Sequence, residues 1–195
     1  MRDVKTAVVD VFVAGSGGGN PAPIVLDAGQ LSSEDMREIA EEYGHEAGFV
    51  LPPTDPKSAD IRYRFFVPRH EMDMCGHATL GTTWLLAKSG RLKPGDVKVE
   101  TLSGVVHTRI SDTGAVAIAQ PKATVAEIAP KHRQEILDVL GTQDSDTLDL
   151  PFLNASTSRI KTLVPLVSPT TVNALTPDFA RMEALCEAIG STGLY

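Results

Sequence analysis

The stretch that most constrains this chain is M-C-G-H-A-T-L-G-T-T-W-L-L-A, Met74 to Ala87. Leu80, Thr83, Trp84 and Ala87 recur at helical spacing, while Leu85 and Leu86 carry apolar character round nearly the whole circumference. A helix that is apolar on all sides is buried rather than laid on a surface. The rest of the chain must therefore surround it. Its first backbone N–H groups, near Gly76, His77 and Ala78, lack intrahelical partners and carry the positive end of the helix dipole. Opened onto a cavity, such a terminus suits a carboxylate or another anion. Gly76 lets a ligand approach the backbone, and Cys75 and His77 flank that spot with titratable groups. The plain alternative is an ordinary core helix with a satisfied histidine at its start.

At 195 residues there is room for one ordinary domain or two small ones. Acidic residues outnumber basic ones 25 to 18, giving a net charge of −7, and no Lys/Arg run is present. That balance argues against a nucleic-acid or anionic-membrane surface. No apolar stretch approaches the roughly 20 residues that span a bilayer, and the N-terminus shows no secretory pattern. Cys75 and Cys186 are too few for a disulfide framework, so a cytoplasmic setting is expected. The five histidines show no close metal-ligand spacing and the cysteines no C-x-x-C, so no metal site is expected.

In chain order, Lys5–Val13 reads as a buried strand rich in Val and Phe. The glycine-rich loop Ala14–Pro21 leads into another strand, A-P-I-V-L-D, rather than into a helix. It also lacks a Lys-Ser/Thr pair, which removes the phosphate-loop reading. A helix follows from Leu31, capped by Ser32 or Ser33, with Leu31, Met36, Ile39, Ala40 and Tyr43 as its apolar stripe and Gly44 as its stop. Ala47–Leu51 is a strand with Glu46 at its entrance, and Ile61–Phe65 alternates like a half-buried strand. After the central helix, Val97–Leu102, Val105–Ile110 and Ala115–Ala119 read as short strands between glycine turns. Beyond Pro121 the chain offers a helix at Lys131–Leu140, a strand at Ser158–Val167 and a helix at Thr176–Ile189. Leu194 and Tyr195 look like the start of a strand that needs neighbours. The expected class is α+β, a curved mixed sheet wrapped around a buried helix. Residues 1–118 are expected to form that domain, with the helix at 76–89, and residues 119–195 an incomplete second domain.

Three pieces stand together: G-N-P-A-P-I-V-L-D (Gly19–Asp27), G-H-E-A-G-F-V-L-P (Gly44–Pro52) and M-C-G-H-A-T-L-G (Met74–Gly81). Their order and spacing resemble the phenazine-biosynthesis isomerase family, the PhzF-like proteins, which share the diaminopimelate-epimerase fold. The resemblance runs from about Val9 to Gly90 and continues more loosely through Arg159–Leu166 and Thr176–Phe179. It implies two similar domains, each a curved sheet around a central helix, with the active site in the cleft between them. It also implies catalysis without a cofactor, a carboxylate moving a proton on a small amino-acid-like or cyclic carboxylic acid. The family's catalytic Glu falls on Glu46, and the Gly-His of its helix start on Gly76 and His77. Cys75 corresponds to an acid/base in epimerases and racemases of this fold, whereas PhzF-like enzymes rely on the Glu; a buried inert thiol is the alternative. Asn20, Asp73, Gly76, His77 and Ala78 are the expected substrate contacts.

Members of that family usually run well past this length, their second domain bringing a helix start that faces the first. The resemblance therefore implies a cleft completed by a second copy or by a second chain, and no isomerase activity for this chain alone. A competing reading is a half-length, non-catalytic protein that binds a small acid or a partner.

Overall fold

Two alternating rows of apolar side chains build the first part of the fold, and the computed structural model shows where each row points. It describes residues 4–120, 122–157 and 159–195, so Pro121 and Ser158 lie outside the described residues. The chain divides into two compact units, Met1–Ala119 and Gln120–Tyr195.

In the first unit, β1 (Thr6–Val11) and β2 (Asn20–Val25) form an antiparallel pair, with Val9 opposite Ala22 and Val11 opposite Asn20. Helix α1 (Ser33–Tyr43) starts at Ser32, whose hydroxyl accepts from the Asp35 amide while Asp35 reaches back to the Ser32 amide. It stops at Gly44, whose φ of 69° suits glycine, as the sequence predicts. The chain then returns as β3 (Ala47–Leu51), parallel to β2. Strands β4 (Ile61–Val67) and β5 (His70–Met72), helix α2 (Gly76–Lys88), and strands β6 (Gly95–Thr101), β7 (Gly104–Ile110) and β8 (Val116–Ile118) follow. The sheet order is β1-β2-β3-β4-β6-β7-β8, with β5 on β4, and it curls as a half-barrel around α2.

Strand alternation separates two cores. Ile24, Val50, Tyr63 and Phe65 face inward with Ala78 and Leu86 of α2. Val25, Ala47, Phe49 and Phe66 face outward against Met36 and Ala40 of α1. Each such large side chain contributes roughly 1.5–3 kcal/mol of burial. Over Ile61–Phe65 the expected half-buried alternation holds, with Tyr63 and Phe65 buried inward and Arg62 and Arg64 partly exposed on the other face; beyond it Phe66 is buried outward against α1. Strand β5 was not expected, because R-H-E-M-D carries no apolar alternation. The central helix is also not enclosed on every side. Its stripe of Leu80, Trp84 and Lys88 faces the open side of the half-barrel, where Trp84 keeps 37% of its surface and Lys88 lies 4.6 Å over its ring.

The second unit holds β9 (Thr124–Glu127), α3 (Arg133–Leu140), β10 (Leu153–Ser156), β11 (Lys161–Leu163), α4 (Pro169–Asn173) and α5 (Phe179–Ala188). Its sheet runs β11-β10-β9, antiparallel throughout, over a core of Ile136, Leu137, Leu140, Phe152, Val164 and Leu185. Several expected elements shorten here. The helix expected from Lys131 begins with a 3-10 turn at Pro130–His132. The strand expected to Val167 ends at Leu163, ahead of Pro165, which has no amide to donate. The helix expected from Thr176 begins at Phe179, because Asp178 caps it by accepting from the Arg181 amide. Leu194 and Tyr195 do find a neighbour within the unit. They run parallel to β11, the Tyr195 amide donating to the Thr162 carbonyl at 2.7 Å.

Candidate active site

Helix α2 begins without the devices that finish α1. Its N-cap is Cys75, in extended conformation, with no side-chain cap and no acidic residue in the first turn. Thr79 is the first residue whose amide finds a helical carbonyl, that of Cys75 at 2.9 Å. The amides of Gly76, His77 and Ala78 precede it, so the helix keeps its positive end uncompensated by side chains. A Cβ built on Gly76 would meet only Ile118 Cδ1 at 3.8 Å, so the approach to this backbone is open.

The sheet brings other candidates to the same end. Parallel pairing of β2 and β3 sets Ile24 beside Gly48, so the heads of these strands, Asn20–Pro21 and His45–Glu46, lie together. Glu46 is half-buried, just after the Gly44 stop, and its charge acts on the His77 ring. Burial pushes the His77 pKa below its ordinary value of 6.5, while Glu46 pulls it up and His45 pushes it further down. The Pro21 carbonyl faces the ring and favours its protonated form, yet Nε2 closes no full hydrogen bond among the described residues. His77 Nδ1 lies 3.3 Å from Cys75 Sγ. Cys75 itself is 5% exposed and packs with the inner core beside Ala78 and Tyr63.

Of the residues singled out in the sequence, Glu46, Cys75 and His77 thus gather at the start of α2, with the amides of Gly76 and Ala78. Asn20 stands exposed at the head of β2, next to Pro21. Asp73 is exposed just before the helix, its carbonyl accepting from the Ser103 amide at 3.1 Å. Sequence reading missed Pro21 and His45 as groups acting on the His77 ring. Both lie inside quoted motifs, but a backbone carbonyl leaves no signature in residue type. Among the described residues, no three His, Cys, Asp or Glu side chains gather to hold a metal ion.

The profile of a family described as "Phenazine biosynthesis-like protein" matches residues 9–194. A Bacillus subtilis protein named an uncharacterized isomerase is 32% identical over 91% of this chain and 61% of its own length. A Deinococcus radiodurans protein, also named an uncharacterized isomerase, is 33% identical over 98% of this chain and 63% of its own. The crystal structure of a Bacillus anthracis phenazine biosynthesis protein of the PhzF family superposes with a TM-score of 0.85 at 30% identity, covering 97% of this chain and 65% of that one. A predicted epimerase from Pseudomonas aeruginosa shares the fold, with a TM-score of 0.84 at 22% identity, covering 98% of this chain and 69% of that one. The chain spans about three-fifths of the length of the curated relatives it matches.

Proposed function

This chain belongs to the phenazine biosynthesis-like family, and on that premise we propose that it supplies one wall of an isomerase that moves a proton on a small amino-acid-like or cyclic carboxylic acid. The observation that carries this reading is the half-buried Glu46 acting on His77 at the uncapped start of α2. The substrate carboxylate lies against the amides of Gly76, His77 and Ala78, flanked by Asn20 and Asp73. Glu46 takes a proton from a neighbouring carbon: the C–H bond breaks, an O–H bond forms on Glu46, and the electron pair spreads into the substrate's own conjugated acid. The α2 dipole offsets the growing negative charge. Delivery of the proton to another carbon, or to the other face of the same one, restores the Glu46 carboxylate.

His77, neutral because of its burial, can donate a hydrogen bond to the substrate without adding charge. Cys75 acts through it, fixing the ring by its contact with Nδ1, and is a positioning residue. About two-fifths of the relatives' length lies outside the matched region. We assign the opposing wall of the cleft to the corresponding residues, whichever polypeptide bears them, a second copy or another chain included.

The test is solvent-deuterium incorporation into a panel of small amino-acid-like and cyclic carboxylic acids, read by mass spectrometry. Glu46→Gln should slow incorporation by at least about a hundredfold, the usual lower worth of a positioned acid/base. Exchange at the unaltered rate in that variant would remove Glu46 from the role. If the chain, combined with the polypeptide that bears the opposing wall, exchanges none of the acids yet binds one of them, the non-catalytic reading replaces the isomerase.

A further inference from the structure

The β4–β5 hairpin connects the two sides of the candidate site. Ala47, the residue after Glu46, stands opposite Phe66 of β4, and Phe66 in turn stands opposite Glu71 of β5. Glu46 and β5 are thus both placed from the same point on β4. Beyond Met72 the chain passes through Asp73 and Met74 to Cys75, the N-cap of α2. The register of β5 therefore decides where the first amides of α2 and the His77 ring lie relative to Glu46.

The backbone alone gives that register little hold, since β5 is only three residues long. A slip of one residue would turn Glu71 inward and take Met72 out of the inner core. On the outward face, Arg64 opposes such a slip. Its Nε donates to Glu71 Oε1 and its Nη2 to Glu71 Oε2, both at 2.6 Å. A two-pronged pair of this kind fixes geometry as well as charge. The guanidinium lies 5.0 Å over the Phe66 ring, and the two side chains keep only 16% and 21% of their surface. Arg64 Nη2 also donates to the hydroxyl of Ser33, the first residue of α1, at 2.8 Å. One turn further along α1, Arg37 donates to the Pro68 carbonyl at the hairpin turn, at 2.9 Å. The helix whose Gly44 stop precedes Glu46 is thereby fastened to the hairpin that leads to His77.

From these contacts we propose that Arg64 and Glu71 are positioning residues, their pair holding β5 in register and so placing the start of α2 against Glu46. This rests on the proposed roles of Glu46 and His77, but its test needs no turnover. The charges acting on the His77 ring are those of Glu46 and His45, with the Pro21 carbonyl and Cys75 Sγ beside it. Arg64 and Glu71 are not among them, so a change at either reaches the His77 titration only by moving the ring. Burial has the largest effect on that titration and lowers it. A loosened α2 start admits water to the ring and raises the midpoint toward 6.5.

Proton NMR titration of the full chain follows its five histidine rings, with His77 assigned by the signal that disappears in His77→Gln. In Glu71→Gln, and in Arg64→Lys, which keeps the charge but loses the fork, the His77 midpoint should rise, with proton affinity up at least about twofold. Arg62 of the same strand pairs with Glu100 of β6 at 3.5 Å, and Arg62→Gln, the matched control, should leave His77 as it is in the parent. A midpoint that fails to rise in the pair variants, or that rises equally in Arg62→Gln, overturns the proposal. Should Glu71→Gln fail to fold, Arg64→Lys decides the matter by the same measurement. If His77 responds as expected while Glu46→Gln exchanges deuterium at the parent rate, the catalytic assignment falls and the positioning role stands.

Discussion

Gly48 and Thr82 share one space: a Cβ at Gly48 would lie 2.8 Å from Thr82 Oγ1. Gly48 is the second residue of β3 and faces inward, and its missing side chain lets α2 sit against the sheet. Thr82 is fully buried and β-branched, so its side chain has little freedom to turn away. Gly48→Ala should lower stability by about 1–3 kcal/mol, the usual range for overpacking. Adding Thr82→Ala should restore part of the loss, so that the double variant costs less than the two single changes together. Urea unfolding of the three variants measures this, and simple additivity would place the strain elsewhere.

The Thr82 hydroxyl also finds no hydrogen-bond partner among the described residues. A buried hydroxyl in that state is a standing cost, so Thr82→Val should leave stability unchanged or raise it by up to about 1 kcal/mol. Its neighbour should behave in the opposite way. Thr83 Oγ1 lies 3.2 Å from the buried Tyr63 hydroxyl, whose pKa burial pushes above its ordinary value of 10.0. Thr83→Val strands that phenol and should cost about 1–3 kcal/mol. Calorimetry on two substitutions of the same kind, one residue apart, thus separates an unmatched hydroxyl from a matched one.

His77 links the candidate site to pH. Its folded pKa lies below the unfolded 6.5, so the unfolded chain binds the proton more readily. The stabilising effect of a neutral ring is therefore complete above about pH 6.5 and is lost as pH falls from there through the folded pKa. Urea midpoints of the parent should drop over that window more steeply than those of His77→Gln. Parallel curves would show that His77 does not titrate differently on folding. Cys75→Ala removes the Nδ1 contact and should shift this window, while Cys75→Ser, which keeps a donor, should shift it less.

What the sequence shows plainly follows from what residue type encodes. Ser32 and Gly44 announce the ends of α1 because capping chemistry belongs to single residues. The apolar run of β3, the alternation in β4 and the helical spacing of α2 are likewise local. The burial of Phe66 on the outer face of β4 was legible only as composition, since its helix partners on α1 lie nearly thirty positions earlier in the chain. Strand β9 escaped because all four of its residues are exposed and carry no alternation of burial. At the site, Glu46, Cys75 and His77 came from motifs. The Pro21 carbonyl did not, since it is backbone.

In the second unit, Thr162 and Asn154 form a relay on which the return of the chain beside β11 depends. The fully buried Thr162 hydroxyl donates to Asn154 Oδ1 at 2.7 Å, and Asn154 Nδ2 donates to the Ile189 carbonyl at 2.8 Å. Ile189 ends α5 and Gly190 turns with φ 66°, so this bond fixes where the following segment meets the sheet. That segment then pairs through the Thr192 amide to the Ile160 carbonyl at 2.8 Å and the Tyr195 amide to the Thr162 carbonyl. Thr162→Val leaves Asn154 Oδ1 without this donor and should cost about 1–3 kcal/mol. Asn154→Asp removes the donor to Ile189 and should cost at least as much, since its carboxylate faces a carbonyl across the same gap. Hydrogen exchange gives the local readout: the Thr192 and Tyr195 amides should lose protection in both variants, while amides of the first unit, such as Phe49, keep theirs. Uniform loss across both units would instead mean that the substitutions unfold the whole chain, and the relay would have no special hold on this segment.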